Sequence, residues 1–566
     1  MDESIKILPN FKKFNSYIGD VKQGISPIML SGLTDVAKIH FAYSTFFYTE
    51  KPICIVTYNE LQAKKIIKDL QYFTNKVEYF PRREILSYDY LAESKDISNE
   101  RINCLNNIYS KKAKIIVTTI EAASQKIVTK NELYKNIVEI KENSIIELEE
   151  LKKKLFYLGY ERRDLVENAG EYSIRGGIID IGITKETGIR IELWGDEVDS
   201  IREFNIMSQR STEKVKTAKI YPATEFVLER NIEEVISDIL NDFDEEKVAE
   251  DIEEIKNGNY LSKVDKYFNY FYKNSETIID YIKENYIIFL DEISKIKARS
   301  ENIIKDNQNV IKSLMEKKRT VPQALTNLNN YIDFLGLIKN IQTIYLEKQD
   351  IGFVDKQSMH AKRNGYSFSY REVNFFRSSM DLCFKEIQQA QHDKKTIVIL
   401  TGNKDNTKKV KDLLLEKLEN LNNITVKEGE LSSGFECYDF NLLVICVKEL
   451  FAVPQKRKKL SQDFKQGETV IFSDLKIGDY VVHKTNGIGV FIGVNTIKAD
   501  GVTKDYIKIK YKDDDILYIP TNNLDNIRKY IGTDSRAPKI NRLGSKEWEN
   551  TKSKVKGSVL YSVKYM

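Results

Sequence analysis

Two stretches of this 566-residue chain carry residue types that phosphate chemistry uses. The first is Gly32-Leu33-Thr34-Asp35-Val36-Ala37-Lys38-Ile39. A working phosphate-binding loop reads GxxxxGK[ST]. Its glycines let backbone N–H groups wrap the phosphates, its lysine reaches the terminal phosphates, and its hydroxyl holds magnesium. Gly32 and Lys38 stand at their places, but Ala37 replaces the second glycine and Ile39 the hydroxyl. A Cβ at position 37 obstructs the wrapping, and an isoleucine offers the cation no oxygen. The octet is either a decayed nucleotide loop or a chance spacing of one Gly and one Lys. The second stretch, Tyr286-Ile287-Ile288-Phe289-Leu290-Asp291-Glu292, is an apolar strand ending in two acids. Without the loop hydroxyl these acids have no metal to hold. They read as the remnant of a nucleotide site, or as an ordinary buried strand before a capped helix. His360 and His392 have no Ser, Cys or paired carboxylate at a recognisable spacing, so no catalytic constellation is expected.

Binding chemistry is better represented, between Gly170 and Asn205. Ile174, Ile178, Ile179 and Ile181 are β-branched residues broken by Gly176 and Gly177, and Arg190-Ile191-Glu192-Leu193-Trp194 alternates polar and apolar. Period two turns Ile191 and Leu193 towards a core and puts Arg190, Glu192 and Trp194 together on the opposite face. That placement predicts an exposed tryptophan. A Trp beside an Arg on a charged face is the composition of a binding hot spot, since both offer contact area and Arg adds a planar hydrogen-bonding fork. The same Trp could equally pack under a neighbouring domain.

These stretches require elements to hold them. Residues 23 to 120 alternate short apolar strands with helices, the βαβ rhythm of a parallel sheet. Residues 223 to 340 are helical and heavily charged, the charges forming solvated faces. From 341 to 455 strand and helix alternate again, as in KKTIVILTG and NLLVICVKELF. A basic stretch, VPQKRKKLSQDFKQGETVI, reads as a linker. Beyond Ile477, Asn486-Gly487, Asp500-Gly501 and Asp513-Asp514-Asp515 are turn signals between short strands. In Tyr506-Ile507-Lys508-Ile509-Lys510-Tyr511 the isoleucines share one face and the lysines the other, as a small half-buried barrel requires. The fold class expected is α/β multidomain.

Composition narrows the partners. Hydrophobic residues at 41% are ample for buried cores, and 88 basic against 84 acidic side chains leave a net charge of only +4. No global field marks a nucleic-acid binder, so any contact with DNA through this chain is expected to be weak. The five cysteines form no CxxC and do not pair with the four histidines, which suggests a reducing cytoplasm and no metal site. No apolar run approaches the roughly 18 residues a membrane span needs, so no membrane is expected among the partners.

The runs LGYERRDLVENAGEYSIRGGIIDI and IELWGDEVDSIREFNIMSQRS resemble domain 2 of the bacterial transcription-repair coupling factors, the Mfd family, a domain shared with the excision protein UvrB. The pattern GDYVVHKTNGIGVF resembles their RNA polymerase interacting domain, shared with CarD-type regulators and built as a Tudor-like β-barrel. The resemblance implies that Arg175, Arg190 and Trp194 bind UvrA, with Trp where some members carry Phe. It implies that the barrel binds the RNA polymerase β subunit through an exposed strand, with Ile497 as the apolar contact or, alternatively, a core residue. It also implies a helicase-type first module that has lost ATP binding, which favours the remnant reading of Gly32, Ala37, Lys38, Ile39, Asp291 and Glu292. UvrB inserts a long DNA-wedging hairpin after the stretch matching Leu86-Ser87-Tyr88-Asp89, whereas here the chain passes directly towards a helix.

The domains implied are a UvrB-like domain 1 at 1–120 and 223–340, a UvrA-binding domain 2 at 121–222, and a third α/β domain at 341–455. A linker at 456–470, the polymerase interacting barrel at 471–535, and the start of a relay helix at 536–566 follow. In the family an ATP-dependent DNA translocase comes next, and this sequence ends at Met566 without its motifs. The function expected is therefore that of an adaptor recruiting UvrA to stalled polymerase, not that of an enzyme. No cofactor is expected, ATP and magnesium belonging to the translocase. The alternatives are an ATP-dependent helicase or nuclease of the UvrB type, and a CarD-like polymerase regulator. The three UvrA residues are expected to form one exposed patch whose truncation leaves stability nearly unchanged.

Overall fold

The computed structural model describes residues 3–83, 95–227, 231–243, 245–256, 264–316, 327–349, 364–373, 380–418, 420–450, 478–483, 486–499, 502–512, 515–520, 527–529 and 540–542. The stretch around Leu86, His360, the 456–470 linker, the Asp500-Gly501 and Asp513-Asp514 turns and the 543–566 segment lie outside these. The chain divides into two compact units, Met1–Pro454 and Gln455–Met566.

The first unit is organised on a seven-stranded sheet. Its order is Asn364–Ser367, Ile28–Ser31, Thr343–Leu346, Ile287–Asp291, Ile53–Thr57, Ile115–Thr119 and Val77–Phe80, and every pairing is parallel. Strands of a parallel sheet are covered on both faces, so they read as unbroken apolar runs. Here Cys54, Val56, Ile288 and Leu290 feed one core while Ile53, Ile55, Ile287 and Phe289 feed the other. Helices start where sequence provides caps: Thr34 accepts from the Ala37 N–H at 3.3 Å ahead of Asp35–Thr49, and Asn59 from the Gln62 N–H at 2.8 Å ahead of Glu60–Phe73. The charged run after 231 forms two amphipathic helices, Ile232–Asp242 and Glu245–Lys256, burying Val235, Ile239, Val248 and Ile255.

Tertiary pairing regroups the segments. Residues 120–134, inside the 121–222 expectation, pack in the core of the parallel sheet through Ile120, Ala123, Val128 and Leu133. The inserted sheet begins only after them. The strands Thr343–Leu346 and Asn364–Ser367, grouped by sequence with the later α/β segment, flank Ile28–Ser31 instead. The remainder of that segment forms a five-stranded sheet ordered Tyr370–Glu372, Phe435–Cys437, Leu442–Cys446, Thr396–Leu400 and Ile424–Lys427. One face of it, with Val398, Leu400, Phe435, Leu442 and Val444, shares a core with Phe14, Phe41 and the first sheet. The two sheets are thus joined by a common apolar layer.

The inserted segment is a six-stranded sheet ordered Ser211–Lys214, Glu197–Asn205, Thr187–Trp194, Ile178–Gly182, Glu171–Arg175 and Glu161–Arg162. Its inner face packs Tyr172, Ile179, Ile181, Ile191 and Val198 against Leu151 and Leu155 of helix Leu148–Tyr157, and against a two-stranded ribbon of Val138–Lys141 with Thr217–Ile220.

The second unit holds a five-stranded antiparallel sheet ordered Ile516–Pro520, Val502–Lys510, Gly487–Ala499, Tyr480–His483 and Ile527–Lys529. Ile507 and Ile509 are buried with Val481, Phe491 and Tyr511 while Lys510 is exposed, the alternation that period two requires. Gly487 follows Asn486 with φ 79°, which glycine adopts without strain. Among the described residues no helix is long and apolar enough to cross a membrane, and the five cysteines are free and buried.

Candidate functional site

The outer face of the inserted sheet is set by cross-strand register. Arg175 lies opposite Ile178 and Ile178 opposite Glu192; one row along, Ser173, Asp180 and Arg190 stand side by side. Residues directly opposite share a face, so Arg175, Asp180, Arg190 and Trp194 all point away from the apolar core. Trp194 ends its strand at a two-residue turn through Gly195, φ 62°, and is 83% exposed. The arginines converge on one buried carboxylate. Arg190 donates from Nε to Asp180 Oδ1 at 2.7 Å and from Nη2 to Oδ2 at 3.0 Å, and Arg175 Nη2 reaches the same Oδ2 at 2.7 Å. Arg190 also donates to the Gln209 carbonyl at 3.2 Å and lies 4.9 Å from the centroid of the Phe204 ring.

Exposure separates the three residues. The Arg175 side chain is 48% exposed and that of Arg190 only 16%. The expectation that both arginines are freely exposed fails for Arg190. Its guanidinium neutralises Asp180, 1% exposed, and covers Phe204, which is buried with Val166 and Ile206. Arg190 is a supporting residue of the face, and Arg175 and Trp194 are its accessible groups.

The nucleotide-type residues also meet, in a closed form. Lys38 Nζ donates to Asp291 Oδ1 at 2.7 Å and to Glu292 Oε1, with Lys38 2% and Asp291 1% exposed. Asp291 Oδ2 accepts from Thr57 Oγ1 at 2.8 Å and from Gln62 Nε2 at 3.3 Å. Burial disfavours the ammonium, but the attraction of Asp291 and then Glu292 outweighs it and holds the Lys38 pKa above the usual lysine value. Loop donors are engaged as well: the Leu33 N–H goes to the Glu347 carbonyl at 3.2 Å and the Ala37 N–H to the Thr34 hydroxyl at 3.3 Å. Gly32 has φ 75°, and a Cβ there would come 2.0 Å from the Phe368 carbonyl oxygen. Packing alone therefore requires this glycine. A carbonyl acceptor against the loop is the wrong polarity for phosphate. Ile39 is buried on the helix.

Glu347 completes this cluster. Burial pushes its carboxyl up to about 7, opposed by the Ile293 N–H it accepts at 3.0 Å. The folded-state pKa lies above the unfolded one, so between about pH 4.5 and 7 the folded state keeps a proton the unfolded state has released. Stability from this group falls as pH rises through that window and is level above it. Glu347→Gln keeps the acceptor, and is expected to be more stable than wild type by about 2–3 kcal/mol at pH 8 and equal to it near pH 4. Urea unfolding at both pH values checks this; parallel curves for the two proteins would refute it.

With this geometry in view, two family models match the chain. Residues 138–226 match the UvrB interaction domain, and residues 475–531 the CarD-like/TRCF RID domain. A transcription-repair-coupling factor of Bacillus subtilis (strain 168) is 31% identical over 99% of this chain and 50% of its own length. Those of Staphylococcus aureus (strain MRSA252) and Staphylococcus haemolyticus (strain JCSC1435) are 28% and 29% identical, each over 98% of this chain and 49% of their own length. The chain resembles half of a transcription-repair-coupling factor. It spans about half the length of the curated relatives it matches.

The UvrB interaction match contains the whole Arg175–Asp180–Arg190–Trp194 face. Ile497 falls in the second match, on strand Gly487–Ala499 opposite Lys504, and its side chain lies outside the described residues. Sequence reasoning about this chain missed Asp180 and the closure of Lys38 onto Asp291 and Glu292. The signal for Asp180 was present: an acid interrupts the β-branched run Ile178-Ile179-Asp180-Ile181. No sequence signal leads to Glu347.

Proposed function

We propose that this chain acts as the adaptor portion of a transcription-repair-coupling factor, in the cytoplasm, docking UvrA on its inserted sheet and the RNA polymerase β subunit on its second unit. The observation that carries the first arm is a tryptophan 83% exposed at the end of a sheet face that also presents Arg175, within the stretch matched by the UvrB interaction domain. A large ring left in water costs free energy that a partner recovers on covering it. The second arm rests on the match at 475–531; the reading is that this module is a Tudor-like barrel with Ile497 as the contact. We assign the inserted domain to 138–226 and the polymerase-binding module to 475–531. Lys38, neutralised by the acids that would otherwise hold a metal, and the Phe368 carbonyl against Gly32 support the reading that this segment turns over no ATP.

Titration of the chain with UvrA and with polymerase β tests both arms. Trp194→Ala is expected to weaken UvrA binding by about 1–3 kcal/mol and to leave the melting temperature and polymerase binding unchanged. Unchanged UvrA binding would remove the first arm.

A further inference from the structure

Trp194 is not the only large apolar side chain standing in water at its end of the inserted sheet. Ile145 is 81% exposed. Its backbone bridges that of Glu197, and Glu197 is the cross-strand partner of Trp194. Trp194, Glu197 and Ile145 therefore stand in one row across the sheet, with strand-spacing steps of about 5 Å between them. The neighbours fix the side to which the row points. Ile146 and Val198, one residue along, are buried in the core with Leu193 packed against them, so the row lies on the same outer face as Arg175. Among the described residues no cation pairs with the exposed Glu197.

Ile145 is held as firmly as a strand residue although it sits in a connection. The Ile146 N–H donates to the Asp196 carbonyl at 2.8 Å, the Val198 N–H to Ser144 at 2.9 Å, and the Asn143 N–H to Val198 at 2.8 Å. The preceding turn is closed by Ser144 Oγ on the Lys141 carbonyl at 2.6 Å, with Asn143 at φ 63°. A β-branched side chain on so fixed a backbone loses little conformational freedom when a partner covers it.

We propose that Ile145 and Glu197 extend the Trp194 docking face, the row receiving an apolar side chain of UvrA flanked by a cationic one. Two exposed apolar side chains with an exposed carboxylate between them in the row select that chemistry, since a neutral or acidic visitor would leave Glu197 desolvated without a partner. The row is continuous with Arg175 through Ile178 and Glu192, and all of it lies within residues 138–226. This inference rests on the reading of the Trp194 face as the UvrA dock.

The test is calorimetric titration of the full chain with UvrA, comparing wild type, Ile145→Ala, Ile145→Glu and Trp194→Ala, with melting temperature and sedimentation as controls. Ile145→Ala is expected to lower affinity about fivefold, and Ile145→Glu, which sets a second carboxylate beside Glu197, more than about tenfold, with unchanged melting. Wild-type affinity in both Ile145 variants, together with weakened Trp194→Ala, overturns this inference and leaves the docking reading standing. Wild-type affinity in Trp194→Ala overturns both. If the Ile145 variants change self-association but not UvrA affinity, the occupant is a second copy of the chain and the proposal is wrong.

Discussion

Lys38→Ala is expected to destabilise the first unit by about 3–5 kcal/mol, the range for stripping one partner from a buried ion pair. Asp291 is 1% exposed, and its remaining partners, Thr57 and Gln62, are neutral donors that cannot balance its charge. Asp291→Asn in the Lys38→Ala background should recover much of the loss, because an amide keeps an acceptor for those donors without leaving a buried charge. In a working nucleotide loop the same lysine faces phosphate, and its removal abolishes binding while sparing the fold. Urea unfolding of both variants, with thermal shifts on adding ATP and magnesium, separates the two cases. A Lys38→Ala protein that melts like wild type, in which a nucleotide-induced shift has disappeared, would mean that the pocket binds nucleotide after all.

The second large effect is expected at Arg190. Arg190→Ala removes two charge-assisted bonds to Asp180 and uncovers Phe204, leaving Arg175, among the described residues, as the one cation on a buried carboxylate. A loss of about 2–3 kcal/mol in stability follows, with a loss of UvrA affinity as Arg175 is drawn onto Asp180. Arg190→Lys should recover little, since one ammonium cannot reproduce the two-pronged contact. Arg175→Ala should behave in the opposite sense. Its side chain is 48% exposed, so stability should change by less than about 1 kcal/mol while UvrA affinity falls. Paired melting and titration curves for the three variants check this division of labour. Early melting in Arg175→Ala, with none in Arg190→Ala, would show the roles to be reversed.

Period two alone put Ile191 in the core and Arg190 with Trp194 on the outer face, because successive side chains of a strand must alternate whatever the strand packs against. The same rule sorted Ile507 and Ile509 from Lys510. The loss of the glycine at 37 and the hydroxyl at 39 was likewise visible in the octet itself. Tertiary structure decided what lies across from each of these residues. Lys38 meets Asp291 across 253 positions because parallel pairing brings the ends of distant strands together. The five-stranded sheet holding Thr396–Leu400 and Leu442–Cys446 shares an apolar layer with the seven-stranded one, because the apolar face of those strands is buried against it. Asp180 binds two arginines, and Ile145 shares a row with Trp194 across Glu197, through cross-strand register, which no single strand encodes. Exposure of Arg190 could not follow from its parity, since a face turned away from the core is still covered wherever a buried acid and a ring lie beneath the guanidinium.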